Sequence, residues 1–283
     1  MEHMEFDLKE MHIVQLNLLK KLDSVCQERG FSYFLGFGTL LGAVREHGII
    51  EWDDGIDIVM PYRDYLCLTE LPQVVWGTDC FMQTYISDPE FNRYYAKLRD
   101  NNTTLILADD VTKDINHGIP INIYPIINLA NDEEERHKQI RNAKLYKAFM
   151  ERKPVDAGDS LLHVFSAALL EVMMEHQLIR FRDYLKKETV KYEGEHTNCC
   201  LALAGNKSLD LVLFKTWFSS FATWDFEGMQ TRIPAGWHEW LKLRYGDYMK
   251  TPIAELQGST ISNFVTLNPH KPFKYYKGKT YCV

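Results

Sequence analysis

The sequence predicts an α/β fold of the α+β kind, a mixed sheet flanked by helices with a helical C-terminal half. Three observations predict it. An apolar stripe at helical spacing opens the chain, short β-rich runs alternate with turn residues between positions 33 and 127, and helix-forming sequence follows from position 131.

The opening stripe is Leu8, Met11, Leu18, Leu22 and Val25, behind Asp7 as a good N-cap and ahead of Gly30 as a stop. The β-rich runs cover residues 33–37, 56–60, 81–86, 94–98, 105–108 and 119–127. Residues 131–153 are charged and helix-forming. In residues 160–192, Leu161, Phe165, Ala168, Leu169, Val172 and Ile179 keep helical spacing, and residues 154–159 separate the two stretches. With no internal repeat, low-complexity tract or clear linker, the chain reads as a single domain over 1–283. Its sheet core runs to about residue 130, with a helical insertion and C-terminal part from about 131 to 283.

The chain has 283 residues, 46% hydrophobic and 25% charged, which is ordinary for a soluble globular protein with a substantial core. A formal net charge of −7 argues against a nucleic-acid partner, whose phosphates are tracked by basic stripes. It leaves room for a small anionic ligand in a local basic pocket. The N-terminus lacks the basic and apolar segments of a secretory signal. The most apolar stretch, residues 161–174, is broken by His163, Ser166 and Glu171 and is too short to span a bilayer. The expected location is therefore cytoplasmic, with peripheral contact at the inner face of a membrane whose lipid carries the substrate. The six cysteines show no paired CxxC spacing and read as buried, reduced thiols.

Chemistry concentrates in YFLGFGTLLGAVR (33–45) and EWDDGIDIVMP (51–61). Gly36, Gly38 and Thr39 let backbone come close to a bound group, because glycine has no Cβ. A phosphate held there calls for a divalent cation, and the acidic run that follows can hold one. Along a strand, Asp53, Gly55 and Asp57 point one way while Asp54 and Ile56 point the other. A solvated turn is the competing reading for Asp53 and Asp54. Arg45, Lys97 and Arg99 can offset the charge of an anionic substrate. His47 and His117 titrate in a useful range but read first as structural hydrogen-bonders. Trp52 reads either as a stacking face or as a core wedge. Trp217, Trp224, Trp237, Trp240, Tyr275 and Tyr276 are expected to pack the C-terminal half.

The order GTLLGAVR, then WDD running into IDI, AKLRDNNTT (96–104), HGIPINIYPI (117–126) and RYGDYMKTP (244–252) resembles the LicD family, to which the fukutin-type glycan phosphotransferases are related. The resemblance implies a nucleotidyltransferase-like fold: a Gly-Gly/Ser/Thr turn, an acid-x-acid strand, and a third acid on a neighbouring strand, which together hold Mg²⁺. Here the turn is Gly38-Thr39, the acid pair falls on Gly55 and Asp57, and the third acid falls on Asn122. Only Asp57 is intact, so a weakened magnesium site is expected, with Asp57, Asp53 and Asn122 as its ligands. Asp53 or Asp54 is then an auxiliary ligand or base, and Gly38, Thr39, Arg45, Lys97 and Arg99 hold the donor. The implied reaction moves phosphocholine, or a similar phospho-substituent, from CDP-choline or a similar nucleotide donor to a glycan or lipid-linked glycan such as teichoic acid or lipopolysaccharide. Two alternatives stay open: a catalytically impaired relative acting as a scaffold, and a nucleotidyltransferase.

Overall fold

The long apolar run at 119–129 becomes the axis of the sheet in the computed structural model, which describes residues 8–250 and 263–283. Strand β6 (Pro120–Leu129) lies between β2 (Asp57–Pro61), parallel to it, and β4 (Ala96–Asp100), antiparallel to it. β1 (Phe34–Leu35) extends the sheet beyond β2, and β3 (Cys80–Gln83) beyond β4. β6 outruns β4, so its second half pairs with β7 (Cys199–Ala202) instead. Pro125, which has no N–H to give, falls at that changeover, while its carbonyl accepts from Leu203 N at 2.9 Å.

Helix α1 (Leu8–Arg29) buries Met11, Leu18, Leu22 and Val25, the stripe read from the sequence. It ends as expected at Gly30, whose φ is +71°. Phe31 N reaches Cys26 O and Gly30 N reaches Gln27 O, the paired bonds of a Schellman cap. The proposed N-cap Asp7 lies outside the described residues, as do Thr251 and Pro252 of the last motif.

The strand expected over 33–37 is cut short because α2 (Phe37–Glu46) begins inside it, with Gly36 as N-cap. The other strands fall within a few residues of their sequence positions. Helices α3 (Tyr62–Thr69) and α4 (Gln73–Trp76) separate β2 from β3, and after α5 (Glu133–Glu151), α6 (Ser160–Val172) and α7 (Glu175–Thr189) the C-terminal half supplies, besides the short helix α8 (Asn206–Leu209), strands that no sequence run announced. β7 and β8 (Leu213–Phe214) join the main sheet, β9 (Phe221–Phe226) and β10 (Met229–Pro234) form a hairpin, and β11 (Phe264–Asn268) pairs with β5 (Thr104–Leu107). These strands are short and take their partners from distant sequence, so local pattern alone does not reveal them.

One apolar core lies around the sheet and includes Leu18, Leu40, Ile58, Leu98, Ile121 and Trp240; a second joins Phe149, Leu178 and Leu185 to Ile127 and Leu201. All six cysteines are free, as expected, but only Cys26 and Cys200 are buried; Cys80, Cys199 and Cys282 are half-buried, and Cys67 is exposed on α3. No helix among the described residues is long and apolar enough to cross a membrane.

Candidate active site

Strand register builds the centre of the site. Asp57 stands opposite Asn122 in the β2–β6 pair, and Lys97 stands opposite Asn122 in the β4–β6 pair. Directly opposed residues share a face of the sheet, so Asp57, Asn122 and Lys97 form a row across three strands. Asn122 Nδ2 donates to Asp57 Oδ1 at 2.8 Å. The other end of that amide, Oδ1, is buried with no hydrogen-bond partner. Two residues along the same face, Tyr95 and Tyr124 pack with ring centroids 4.6 Å apart.

The glycine turn is tied to this row through Thr39. Its Oγ1 accepts from Asp57 N at 2.8 Å, and Gly36 N donates to Asp57 O at 2.9 Å. Gly38 serves a purpose the sequence did not disclose. A Cβ there would fall 2.4 Å from Asp53 Oδ2, so the glycine admits the carboxylate of the protein's own acid run against the start of α2. β2 begins only at Asp57, so residues 53–56 precede the strand and the alternate-face argument does not govern them. They are held by α1 instead. His12 Nε2 donates to the Asp53 carbonyl at 2.9 Å, and Gln15 Nε2 donates to the carbonyls of Asp54 (3.4 Å) and Pro120 (3.1 Å). Sequence reasoning missed both residues. The available signal was two polar side chains on an otherwise apolar helical stripe. A Cβ on Gly55 would lie 3.3 Å from Gln15 Nε2 and 4.0 Å from Asn122 Nδ2, so position 55 faces the same row.

The electrostatics are those of charges without sufficient partners. Burial pushes the Asp57 carboxyl up to about 7, against the opposing pull of the Asn122 hydrogen bond, Lys97 and Arg244. Asp53 is also raised well above the usual carboxylate range, first by burial and then by the charges of Asp54 and Asp57. Lys97 is lowered to about 7 by burial and by Arg99. Its side chain is 7% exposed and makes no hydrogen bond or ion pair among the described residues; the ring of Tyr95 lies 5.9 Å from its ammonium.

Other expected site residues are placed elsewhere. Arg45 sits at the far end of α2, about 10 Å along the axis from Gly38, where Nε and Nη2 both reach Glu46 Oε1. Arg99 shares the face of Lys97 but is bonded internally, through Nε to Gln83 and through Nη1 to Gly118 O at 2.6 Å, so it braces β3 and the approach to β6. Neither is brought to the row as a donor-holding group. His47 caps the end of α2 in a left-handed conformation. His117 packs on Tyr281 at 4.3 Å, donates to Lys113 O, and is held down at about 4 by burial and Arg99, so it is a neutral structural group. Trp52 is half-buried against the sheet core.

Residues 30–153 match the family described as LicD/FKTN/FKRP, nucleotidyltransferase domain. The chain carries a LicD-family domain. The matched span contains the turn, the acid run, Lys97 and Asn122. Across 267 residues the chain is 27% identical to the lipopolysaccharide cholinephosphotransferase LicD of Haemophilus influenzae, covering 88% of this chain and 94% of that relative. A shorter stretch of 57 residues is 40% identical to the uncharacterized protein RP689 of Rickettsia prowazekii, covering 20% of this chain and 21% of that one. Among the described residues, no three His, Cys, Asp or Glu side chains form a ready-made metal centre.

Proposed function

We propose that this LicD-family domain transfers phosphocholine, or a similar phospho-substituent, from a CDP-linked donor to a hydroxyl of a cell-surface glycan. The observation that carries the reading is the row Asp57, Asn122 and Lys97, which leaves a buried acceptor atom and a buried cation unpartnered on adjacent strands. Buried polar groups are rarely left unpaired, and each that is calls for an explanation, a bound ion or ligand among them.

The donor set fits a hard divalent cation. Asn122 Oδ1 is orphaned beside the Asp57 carboxylate, and the Asp53 carboxylate faces the same turn. Magnesium takes oxygen ligands and keeps substrate phosphates and waters in the remaining positions, so one or two carboxylates suffice. Asp57, Asp53 and Asn122 would hold it, and it would neutralise the charge of the donor's pyrophosphate. The chain's own groups do the rest. Thr39 fixes the turn to Asp57, and the amides at the start of α2 and the Lys97 ammonium are the groups that would offset the charge of the phosphates. Asp53 or Asp54 accepts the proton of the acceptor hydroxyl as its oxygen bonds to phosphorus, and CMP leaves with the electron pair of the broken P–O bond.

A second reading, binding without transfer, is favoured by Gly55, where the side chain facing Asn122 is missing. Incubating the chain with CDP-choline, Mg²⁺ and a lipopolysaccharide or teichoic acid acceptor separates the readings. CMP release with a phosphocholine-bearing acceptor is the expected result. A cytidylylated acceptor would make the chain a nucleotidyltransferase, and metal-dependent binding of CDP-choline without turnover would leave only the binding reading.

A further inference from the structure

Helix α9 (Trp237–Tyr245) brings to the site a cation to which the motifs assigned no role. Trp240 packs edge-on against Phe37, 5.4 Å between centroids, and so seats α9 on the first residue of α2. Phe37 has a φ of +49°, a left-handed backbone uncommon for a bulky side chain, and such conformations persist where surrounding packing imposes them. Its ring is gripped by Trp240, by Tyr124 at 5.5 Å, and by the guanidinium of Arg244 at 4.8 Å.

Arg244 is poorly satisfied for a residue so placed. Nη1 donates to Ser208 Oγ at 2.9 Å, but Nε is buried with no partner, and no carboxylate pairs with the guanidinium among the described residues. The guanidinium also lies 5.4 Å from the ring of Tyr245, whose hydroxyl is raised by burial against the pull of Arg244's charge and hydrogen bond, and the same charge opposes the rise of Asp57. Arg244 stacks on Phe37, which follows the Gly36 bonded to Asp57 O and packs on Tyr124, two residues along β6 from Asn122, so its guanidinium borders the row from α9 across the Phe37 ring. Two cations without carboxylate partners among the described residues thus lie near a carboxylate and an unpartnered amide oxygen, a charge arrangement that suits a bound anion.

We propose that Arg244 and Lys97 are opposing cationic walls of a diphosphate-binding subsite above Asp57 and Asn122, with the Arg244 fork gripping one phosphate of a nucleoside-diphosphate-linked donor. A guanidinium offers two parallel donors to a phosphate, whereas an ammonium acts as a point charge, so the two walls are not interchangeable. Arg244 lies outside residues 30–153, so the matched family domain alone would form only half of the subsite. The donor's identity rests on the transfer reading; the diphosphate subsite does not.

The test is calorimetric titration of the full chain with inorganic pyrophosphate, CDP and CDP-choline, each with Mg²⁺, for the unaltered protein, Arg244→Gln and Arg244→Lys. Thermal unfolding without ligand serves as the control for folding. The expected result is a loss of at least about tenfold in affinity for all three ligands in Arg244→Gln, with part of it restored in Arg244→Lys. Equal binding by the unaltered protein and Arg244→Gln overturns the proposal. If Arg244→Gln does not fold, Arg244→Lys decides: affinity unchanged from the unaltered protein overturns the forked contact, and an intermediate loss supports it. Arg244-dependent binding of pyrophosphate without any preference for cytidine ligands would keep the subsite and sink the CDP-linked donor. Failure of the unaltered protein to bind even pyrophosphate overturns the subsite itself.

Discussion

Asp57 and Asp110 are the same residue type turned toward the interior of one molecule, yet their surroundings push them in opposite directions. Burial alone would raise Asp110, but Arg93 and Lys113 both reach its Oδ1 and hold it at about 2. Asp57 has an amide for its close partner and stands at about 7. The same contrast separates two cations on β4. Arg99 is bonded to Gln83 and Gly118, whereas Lys97, two residues away, makes no hydrogen bond or ion pair among the described residues. One region uses buried charge to hold the fold together; the other carries buried charge that weakens it.

The largest expected effect follows from Asp57→Asn. Transfer should fall on the order of a thousandfold or more, because the change removes a charge aimed at the reacting phosphates. Stability should move the other way. The folded-state value of about 7 exceeds the ordinary 3.8, so the folded protein holds this proton more tightly and loses stability as pH rises between those values. Asparagine removes that cost, and urea unfolding at pH 8 should show a gain of about 2 kcal/mol after allowing for partial exposure. A variant less stable than the parent at pH 8 would place Asp57 with the structural charges.

Asp110→Asn should do the reverse. Leaving Arg93 and Lys113 without their carboxylate should cost about 3 kcal/mol near neutral pH, while donor affinity of the folded protein changes by less than about threefold. Asp110 is depressed in the fold, so its contribution is present above the ordinary 3.8 and is lost as pH falls toward about 2. A fall in donor affinity with stability unchanged would erase the distinction between the two regions.

A smaller effect is expected from Gly55→Asp combined with Asn122→Asp. The second change removes the 2.8 Å amide bond and sets a carboxylate against Asp57, and the first requires Gln15 to yield a few tenths of an ångström. Without metal the double variant should melt several degrees below the parent, and millimolar Mg²⁺ should restore it, with metal affinity raised about tenfold. A melting temperature indifferent to Mg²⁺ would show that positions 55 and 122 do not border a cation site.

What short-range physics encodes was legible along the chain. Helical spacing and Gly30 define α1, apolar runs mark most of the main-sheet strands, and the turn and acid run stand close together in a motif order that also carries the family resemblance. Which of those residues meet depended on long-range pairing and packing. Asn122 reaches Asp57 across 65 positions because parallel pairing sets their register, and antiparallel pairing adds Lys97. His12, Gln15 and Arg244 arrive on helices whose packing has no local signature, while Arg45 and Arg99, chosen for their charge, find partners elsewhere. Local periodicity fixes an element's type and inward face. Cross-strand register and burial fix a side chain's neighbours, and those neighbours set whether its charge supports the fold or is left available for a substrate.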